Sequence, residues 1–268
     1  MFFAGEAEIA AVTAAVKEFV TKQDVAGVVT LVATPEKVVH FSAVGHADVG
    51  ASKPMALDTI FWIASMTKPV TASAILMLQD EGKLSVDDPV EKYVPELGGL
   101  KTAAGVAGKL TIRHLMTHTS GLAEASNDEA KAAKTLAELI PHFAKRPLQF
   151  EPGAKWQYCQ SGINTMGRIV EIVSGMAFQD FLQKRFFEPL GMKDTTFYPA
   201  ADQRPRLVTA YKAAEGKLTV TPPMAIFDPT RSDRFPAANG GLYSTAGDYA
   251  KFCQMILNNG SFGGKKYI

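Results

Sequence analysis

Residues 61–82 read FWIASMTKPVTASAILMLQDEG. A short apolar run ends at a small hydroxyl, Ser65, and three residues later comes an ammonium, Lys68. From there Val70, Ala74, Met77 and Leu78 recur at helical spacing and Gly82 supplies a stop, so the pattern predicts a helix over 65–82. If Ser65 opens that helix, Lys68 lies one turn along on nearly the same face. A hydroxyl is a poor nucleophile until a base removes its proton, and the N-terminus of a helix stabilises an oxyanion. The tetrad alone leaves two readings open: a nucleophile beside its own base, or an ordinary first turn with a solvated lysine. Pro69 suits both, because first-turn N–H groups are unpaired anyway.

Outward from this stretch, residues 6–22 form an amphipathic helix in which Ile9, Val12, Val16, Phe19 and Val20 share a face. Residues 27–48, GVVTLVATPEKVVHFSAVGHAD, give two β-rich runs around TPEK, a hairpin signal. Downstream, Asp88 is positioned to cap and Pro89 to open a short helix, and Thr111 to cap another that ends before Gly121. Residues 128–144 read as one helix. The stretch 163–192 reads as two, broken at Ser174-Gly175 and stopped at Pro189 or Gly191. LVTAYKAAEGKLTV (207–220) is a small hairpin over AAEG. Thr245 with Asp248 makes a capping box for a last helix ending near Asn258-Asn259-Gly260. The terminal GGKKYI looks like the beginning of a further element. The division expected is 1–60 as the N-terminal part of an α/β domain, 61–234 as a mostly helical domain, and 235–268 as the start of a return to the first.

The chain has 268 residues, 47% apolar and 21% charged, with a net charge of +1. That is ordinary for a globular protein with a real core, and the balanced charge gives no footprint for nucleic acid. The N-terminus lacks the basic start and small-residue cleavage pattern of a secretory signal. The expected localisation is therefore cytoplasmic, or periplasmic if a leader was removed before residue 1. The longest apolar runs fall well short of a membrane span. The two cysteines, Cys159 and Cys253, are far apart and outside any CxxC, which argues against a disulfide framework or a zinc site.

A second chemical piece is FEPGAKWQYCQSGINTMGRIVEIVSG (150–175), where Tyr158 precedes a helix. A phenol near an ammonium can shuttle protons; the bland alternative is a packed tyrosine tied to backbone. Taken with FWIASMTKPVTASAILMLQDEGKLSVDDPVEKYVPEL, LTIRHLMTHTSGL, PLGMKDTTF and GGLYSTAGDYAKF, in that family's order, the chain resembles the serine β-lactamase and penicillin-binding-protein superfamily, in its class C branch that includes the family VIII carboxylesterases. The S-x-x-K element is one of its catalytic motifs. The resemblance implies a β-lactamase-like α/β fold, an antiparallel sheet flanked by helices plus a large, mostly helical domain. It also implies a cofactor-free acyl-enzyme mechanism with Ser65 as nucleophile, Lys68 and Tyr158 moving the proton, and the Ser65 N–H as half of an oxyanion hole.

Two departures accompany it. The family's Tyr-Ser-Asn is here Tyr158-Cys159-Gln160, so Gln160 is expected to offer its amide to a substrate carbonyl on a longer arm. The family also continues into a strand with a Lys-Thr-Gly or His-x-Gly motif and a closing helix, and neither follows Gly260; the resemblance thus implies that C-terminal strands are missing from this stretch.

The function expected is hydrolysis of small carboxylic esters. The alternatives are a β-lactamase or D-alanyl-D-alanine peptidase-like enzyme and a non-catalytic ligand-binding homologue. The expected partner is a small ester or lactam, with no nucleic acid, no membrane span and no metal; the oligomeric state is open. His114 and His118 have i, i+4 spacing but no carboxylate of an H-E-x-x-H motif. Asp87 and Asp88 are better read as capping residues than as paired acids. Cys159 reads as a packed thiol rather than a rival nucleophile. NGGLYSTAGD lacks the lysine spacing of a phosphate loop, and no G-x-S-x-G elbow is present. Phe150 and Trp156 are candidates either for an acyl pocket or for the core.

Overall fold

The computed structural model describes residues 6–268, with side chains from residue 11 onward. Helix α1 (Glu6–Thr21) packs on a three-stranded antiparallel sheet built from β1 (Gly27–Ala33), β2 (Val38–Asp48) and β3 (Lys53–Pro54), in the order β1-β2-β3. The register places Leu31 opposite Phe41 and shifts at Val32/Ala33, where the TPEK turn begins. Of the residues expected on the inner face of α1, Val12, Val16 and Val20 are half-buried, but Phe19 is exposed. Thr13 takes the inward place and bonds Ser42 at 3.1 Å. Ile9 lies outside the described side chains.

A short strand, β4 (Phe61–Trp62), leads through a 3₁₀ turn over Ala64–Met66 into α2 (Thr67–Asp80). The helix therefore begins two residues later than the spacing suggests, and Ser65 sits in the turn that feeds it. Next come α3 (Ile112–Met116), α4 (Asn127–Ala132), α5 (Leu136–Ala144) and α6 (Gln160–Ser174). Thr111 caps α3 as expected, and His114 closes the box from the other side. The single helix expected over 128–144 is two. The chain leaves helical geometry at Ala133, and Thr135 starts α5 by accepting the Glu138 N–H. A cap of this kind holds its own residue in an extended conformation, which interrupts a continuous helix. Asp88 also departs from expectation. The N-cap of its 3₁₀ turn is Pro89, while the Asp88 carboxylate accepts from Ser85 N–H, Lys92 and Tyr93.

Helices α7 (Phe178–Leu182) and α8 (Glu188–Leu190) are joined by a π-helical turn over Gln183–Phe187, with left-handed glycines at 175 and 191 marking the ends read from sequence. Phe178, Phe181, Phe186, Phe187 and Phe197 are fully or almost fully buried, in one core cluster with residues of α2 and α6. Each such ring contributes roughly 1.5–3 kcal/mol by leaving water, so this aromatic layer is one of the fastenings of the helical part. The hairpin β5 (Tyr211–Ala214) with β6 (Lys217–Val220) follows. Then β7 (Tyr243–Ser244) returns to pair antiparallel with β4, Trp62 facing Tyr243. Helix α9 (Ala246–Leu257) packs on β1, and β8 (Ser261–Phe262) with β9 (Lys265–Lys266) closes the chain as a small hairpin. Thr245 caps α9, but Asp248 does not reciprocate; its carboxylate goes to Asp194 N–H and Lys251. No described helix is long and apolar enough to cross a membrane.

Candidate active site

The turn carrying Ser65 is held from both sides. Ile63 N–H bonds Leu242 O at 3.0 Å, and Trp62 donates its indole N–H to Gly240 O at 2.5 Å. Between them Ala64 sits at φ +46°, in the left-handed region. A residue with a Cβ is seldom found there without reason, and its cost of about 1–3 kcal/mol must be carried by the surrounding bonds. The strain lifts Ser65 to the surface, whereas Lys68, one turn later, is only 8% exposed. The solvated-lysine reading of the tetrad is therefore wrong for this chain.

The three tips meet. Lys68 Nζ donates to Ser65 Oγ at 3.1 Å, and the Tyr158 hydroxyl donates to the same oxygen at 2.7 Å. The same nitrogen also donates to Asn239 O at 2.6 Å and lies 4.5 Å from the centroid of the Tyr158 ring, over its negative face. These contacts seat Lys68. Thr67 and Thr71 stitch the same junction, Thr67 Oγ1 accepting Leu242 N–H at 3.2 Å and Thr71 Oγ1 donating to Ala238 O at 2.8 Å.

Tyr158 is placed by the start of α6 and by the loop before it. His118, itself at φ +59°, stacks on the tyrosine ring with centroids 4.6 Å apart and accepts Cys159 N–H at Nδ1, 3.1 Å. Burial, and next the charge of Lys68, hold the imidazole below its usual range, so it stays neutral with an acceptor nitrogen free for that bond. Glu124 receives Gln160 N–H (2.6 Å), Ser161 N–H (2.9 Å) and the Ser161 hydroxyl (2.7 Å). Cys159 Sγ accepts Gly162 N–H at 3.3 Å. The donors that a helix start leaves unpaired are thus taken by side chains. The loop is closed by Gly121 at φ +70°, whose carbonyl receives Gln149 N–H and where an added Cβ would fall 2.2 Å from Phe150 O.

Beside Ser65 opens a cavity of about 380 Å³ lined by Trp62, Leu139, Phe143, Phe227, Phe235 and Gln160, among others. Its size lies in the range of small-molecule pockets, about 300–1,000 Å³. Phe150 and Trp156 are absent from its wall. Trp156 is 65% exposed, and Phe150 carries the Lys155 ammonium over its ring; the pocket aromatics come instead from β4 (Trp62), α5 (Phe143) and the 224–235 segment (Phe227, Phe235). Gln160 is present, with Oε1 accepting from Asn239 Nδ2 at 2.9 Å.

Burial pushes the Cys159 thiol up to about 11, which leaves it protonated and unreactive near neutrality. His114 Nδ1 accepts the Thr111 N–H, and Asp87 pairs with Arg113 at 2.7 Å. Among the described residues no cluster of three or more His, Cys, Asp or Glu side chains is grouped to hold a metal ion. The sequence reading missed Glu124, His118 as a shelf for Tyr158, and Asn239. The only signal for the last was its place beside GGLYST.

A model of the family described as Beta-lactamase matches residues 12–267. Protein Rv1367c of Mycobacterium tuberculosis is 33% identical over 95% of this chain and 68% of its own. Esterase EstB of Burkholderia gladioli is 30% identical over 88% of this chain and 67% of its own. The chain thus spans about two thirds of the length of each. Among solved structures, "EstCE1, a hydrolase with promiscuous acyltransferase activity" superposes with a TM-score of 0.85 at 23% identity, covering 98% of this chain and 75% of that one. That is a likeness of fold.

Proposed function

The chain belongs to the beta-lactamase family, and from that premise we propose that it is a serine hydrolase cleaving small carboxylic esters through an acyl-enzyme. The observation that carries the proposal is the convergence of Tyr158 and Lys68 on one exposed hydroxyl, at 2.7 and 3.1 Å. The likeness to an esterase, and the apolar cavity beside Ser65, favour neutral esters as substrates.

In the sequence of events, Ser65 Oγ bonds to the ester carbonyl carbon while its proton passes to the Tyr158–Lys68 pair and the carbonyl π electrons move to oxygen. Either a phenolate beside an ammonium, or a phenol beside an amine, holds the same number of protons, so the two groups act as one base. The Ser65 N–H supports the oxyanion. Collapse breaks the bond to the leaving alkoxide, which takes the proton from the pair. Water then repeats the sequence on the acyl-enzyme: its proton goes to the pair, the acid departs, and Ser65 is reprotonated.

The test uses p-nitrophenyl butyrate and a chromogenic cephalosporin side by side, with intact mass after a fluorophosphonate. The expected result is ester turnover exceeding lactam turnover and one adduct, lost in Ser65→Ala. An adduct persisting in Ser65→Ala on Cys159, or absence of both turnover and adduct, would overturn it. Dominant cephalosporin turnover would transfer the reading to the lactamase or peptidase class.

A further inference from the structure

The carboxylate that receives the first donors of α6 is also part of the cavity wall. Glu124 is exposed and lines the space beside Ser65, and among the described residues it is the one acidic or basic side chain that does so. It has no cationic partner: among the described residues, no lysine, arginine or histidine nitrogen pairs with it. Other glutamates of the helical part do meet cations, Glu81 through Arg185, Glu129 through Lys145 and Arg146, and Glu171 through Arg168. The bonds of Glu124 come from uncharged donors, Oε1 accepting Gln160 N–H and Oε2 accepting both the N–H and the hydroxyl of Ser161. A carboxylate accepts at about four positions, so Oε1 keeps one in hand. Lys68 does not supply the missing charge, because its nitrogen is committed to Ser65 Oγ and Asn239 O and it is no part of the wall. The remaining wall is apolar and aromatic. Trp62, 37% exposed, is fixed by its bond to Gly240 O at 2.5 Å and by Phe227, with ring centroids 4.8 Å apart. The face of an indole is the best ring surface for a cation, and quaternary ammonium groups are recognised in this way. Leu139 and Ile226 complete a surface on which the methyl groups of such a cation leave water.

We propose that Glu124 is the charge-selecting residue of this cavity: the walls take neutral acyl chains, and an acyl chain ending in an alkylammonium gains the carboxylate and the ring faces as well. The inference rests on the ester hydrolase reading and deepens it by naming a substrate class. The acyl group stays bonded to Ser65 until water releases it, so a contact with its far end acts in both half-reactions. The predicted discrimination is one of charge at constant shape.

The experiment compares p-nitrophenyl 4-(trimethylammonio)butanoate with p-nitrophenyl 5,5-dimethylhexanoate, in which a quaternary carbon replaces the quaternary nitrogen. Each kcat/KM is divided by the imidazole-catalysed rate of the same ester, which removes the difference in intrinsic reactivity. The wild-type ratio should favour the cation by about tenfold, the scale of a cation–π contact together with an accessible ion pair. In Glu124→Gln the side-chain oxygen still accepts from the start of α6 but the charge is gone, and the ratio should fall by about threefold or more. In Glu124→Asp the charge returns, and the ratio should stand above that of Glu124→Gln. A displaced α6 would slow both esters together and leave the ratio unmoved. A wild-type ratio near one, a wild-type ratio retained in Glu124→Gln, or no recovery in Glu124→Asp overturns the inference while leaving the hydrolase reading intact. Failure of the wild type to hydrolyse either ester, with no adduct on Ser65, removes the reading on which it rests.

Discussion

Replacing Tyr158 by phenylalanine deletes one oxygen and isolates what that oxygen does. The ring stays where it is, since it is held by the His118 face at 4.6 Å and by the Lys68 ammonium at 4.5 Å. What is lost is the 2.7 Å bond to Ser65 Oγ. For stability, a hydrogen bond is worth about 0.5–1.5 kcal/mol net, and at 42% exposure this one belongs at the lower end. For a chain of this size a change of about 1 kcal/mol moves Tm by about 2–4 °C. For catalysis, a positioned proton-transfer group is worth about 10²–10⁴-fold, or about 2.7–5.4 kcal/mol at 1.36 kcal/mol per decade. The two effects should therefore separate by several kcal/mol in one variant. The assay is kcat/KM on p-nitrophenyl butyrate beside a urea unfolding curve. A rate loss under fivefold in a folded variant would refute the role given to the phenol, and so would equal losses in rate and stability.

Three further outcomes are expected. Gly121→Ala puts a Cβ at φ +70° and 2.2 Å from Phe150 O; the left-handed backbone alone costs about 1–2 kcal/mol, so the urea midpoint should fall by more than that figure implies. In native protein at pH 8, iodoacetamide should label the exposed Cys253 ahead of the buried Cys159, whose thiol stands near 11; peptide mapping reads the order. Asp88 is drawn down from 3.8 to about 2, chiefly by the Tyr93 hydroxyl and then by Ser85 N–H and Lys92. A depressed carboxyl contributes stability that is complete above the unfolded value and disappears as pH falls through the folded one. Acid unfolding of Asp88→Asn should accordingly be flatter than wild type between about pH 4 and 2.

The parts of the fold written in local pattern were readable. The α2 face of Val70, Ala74, Met77 and Leu78, the caps Thr111 and Thr245, and the hairpin turns each declare themselves within a few residues, because periodicity and capping are short-range chemistry. The break before Thr135 was missed because a cap inside an apolar period looks like one more polar position. The meeting of Ser65 and Lys68 was legible through their spacing. The burial of Lys68 was not, since its carbonyl partner is supplied by Asn239, 171 positions along the chain. Glu124 carries no mark in its own neighbourhood; its task is defined by N–H groups 36 and 37 residues away. Trp156 misled for the opposite reason, as an aromatic beside a chemical motif that the fold leaves in water.

The seat of Lys68 has a consequence for synthesis. Every group proposed to react has been translated once α6 is complete, yet Lys68 has no berth until the segment around Asn239 emerges and docks against α2. Contacts so distant in sequence close late and slowly. A nascent chain halted before that segment would carry serine, lysine and tyrosine as bystanders, so the proposed constellation assembles in one docking step rather than growing with length.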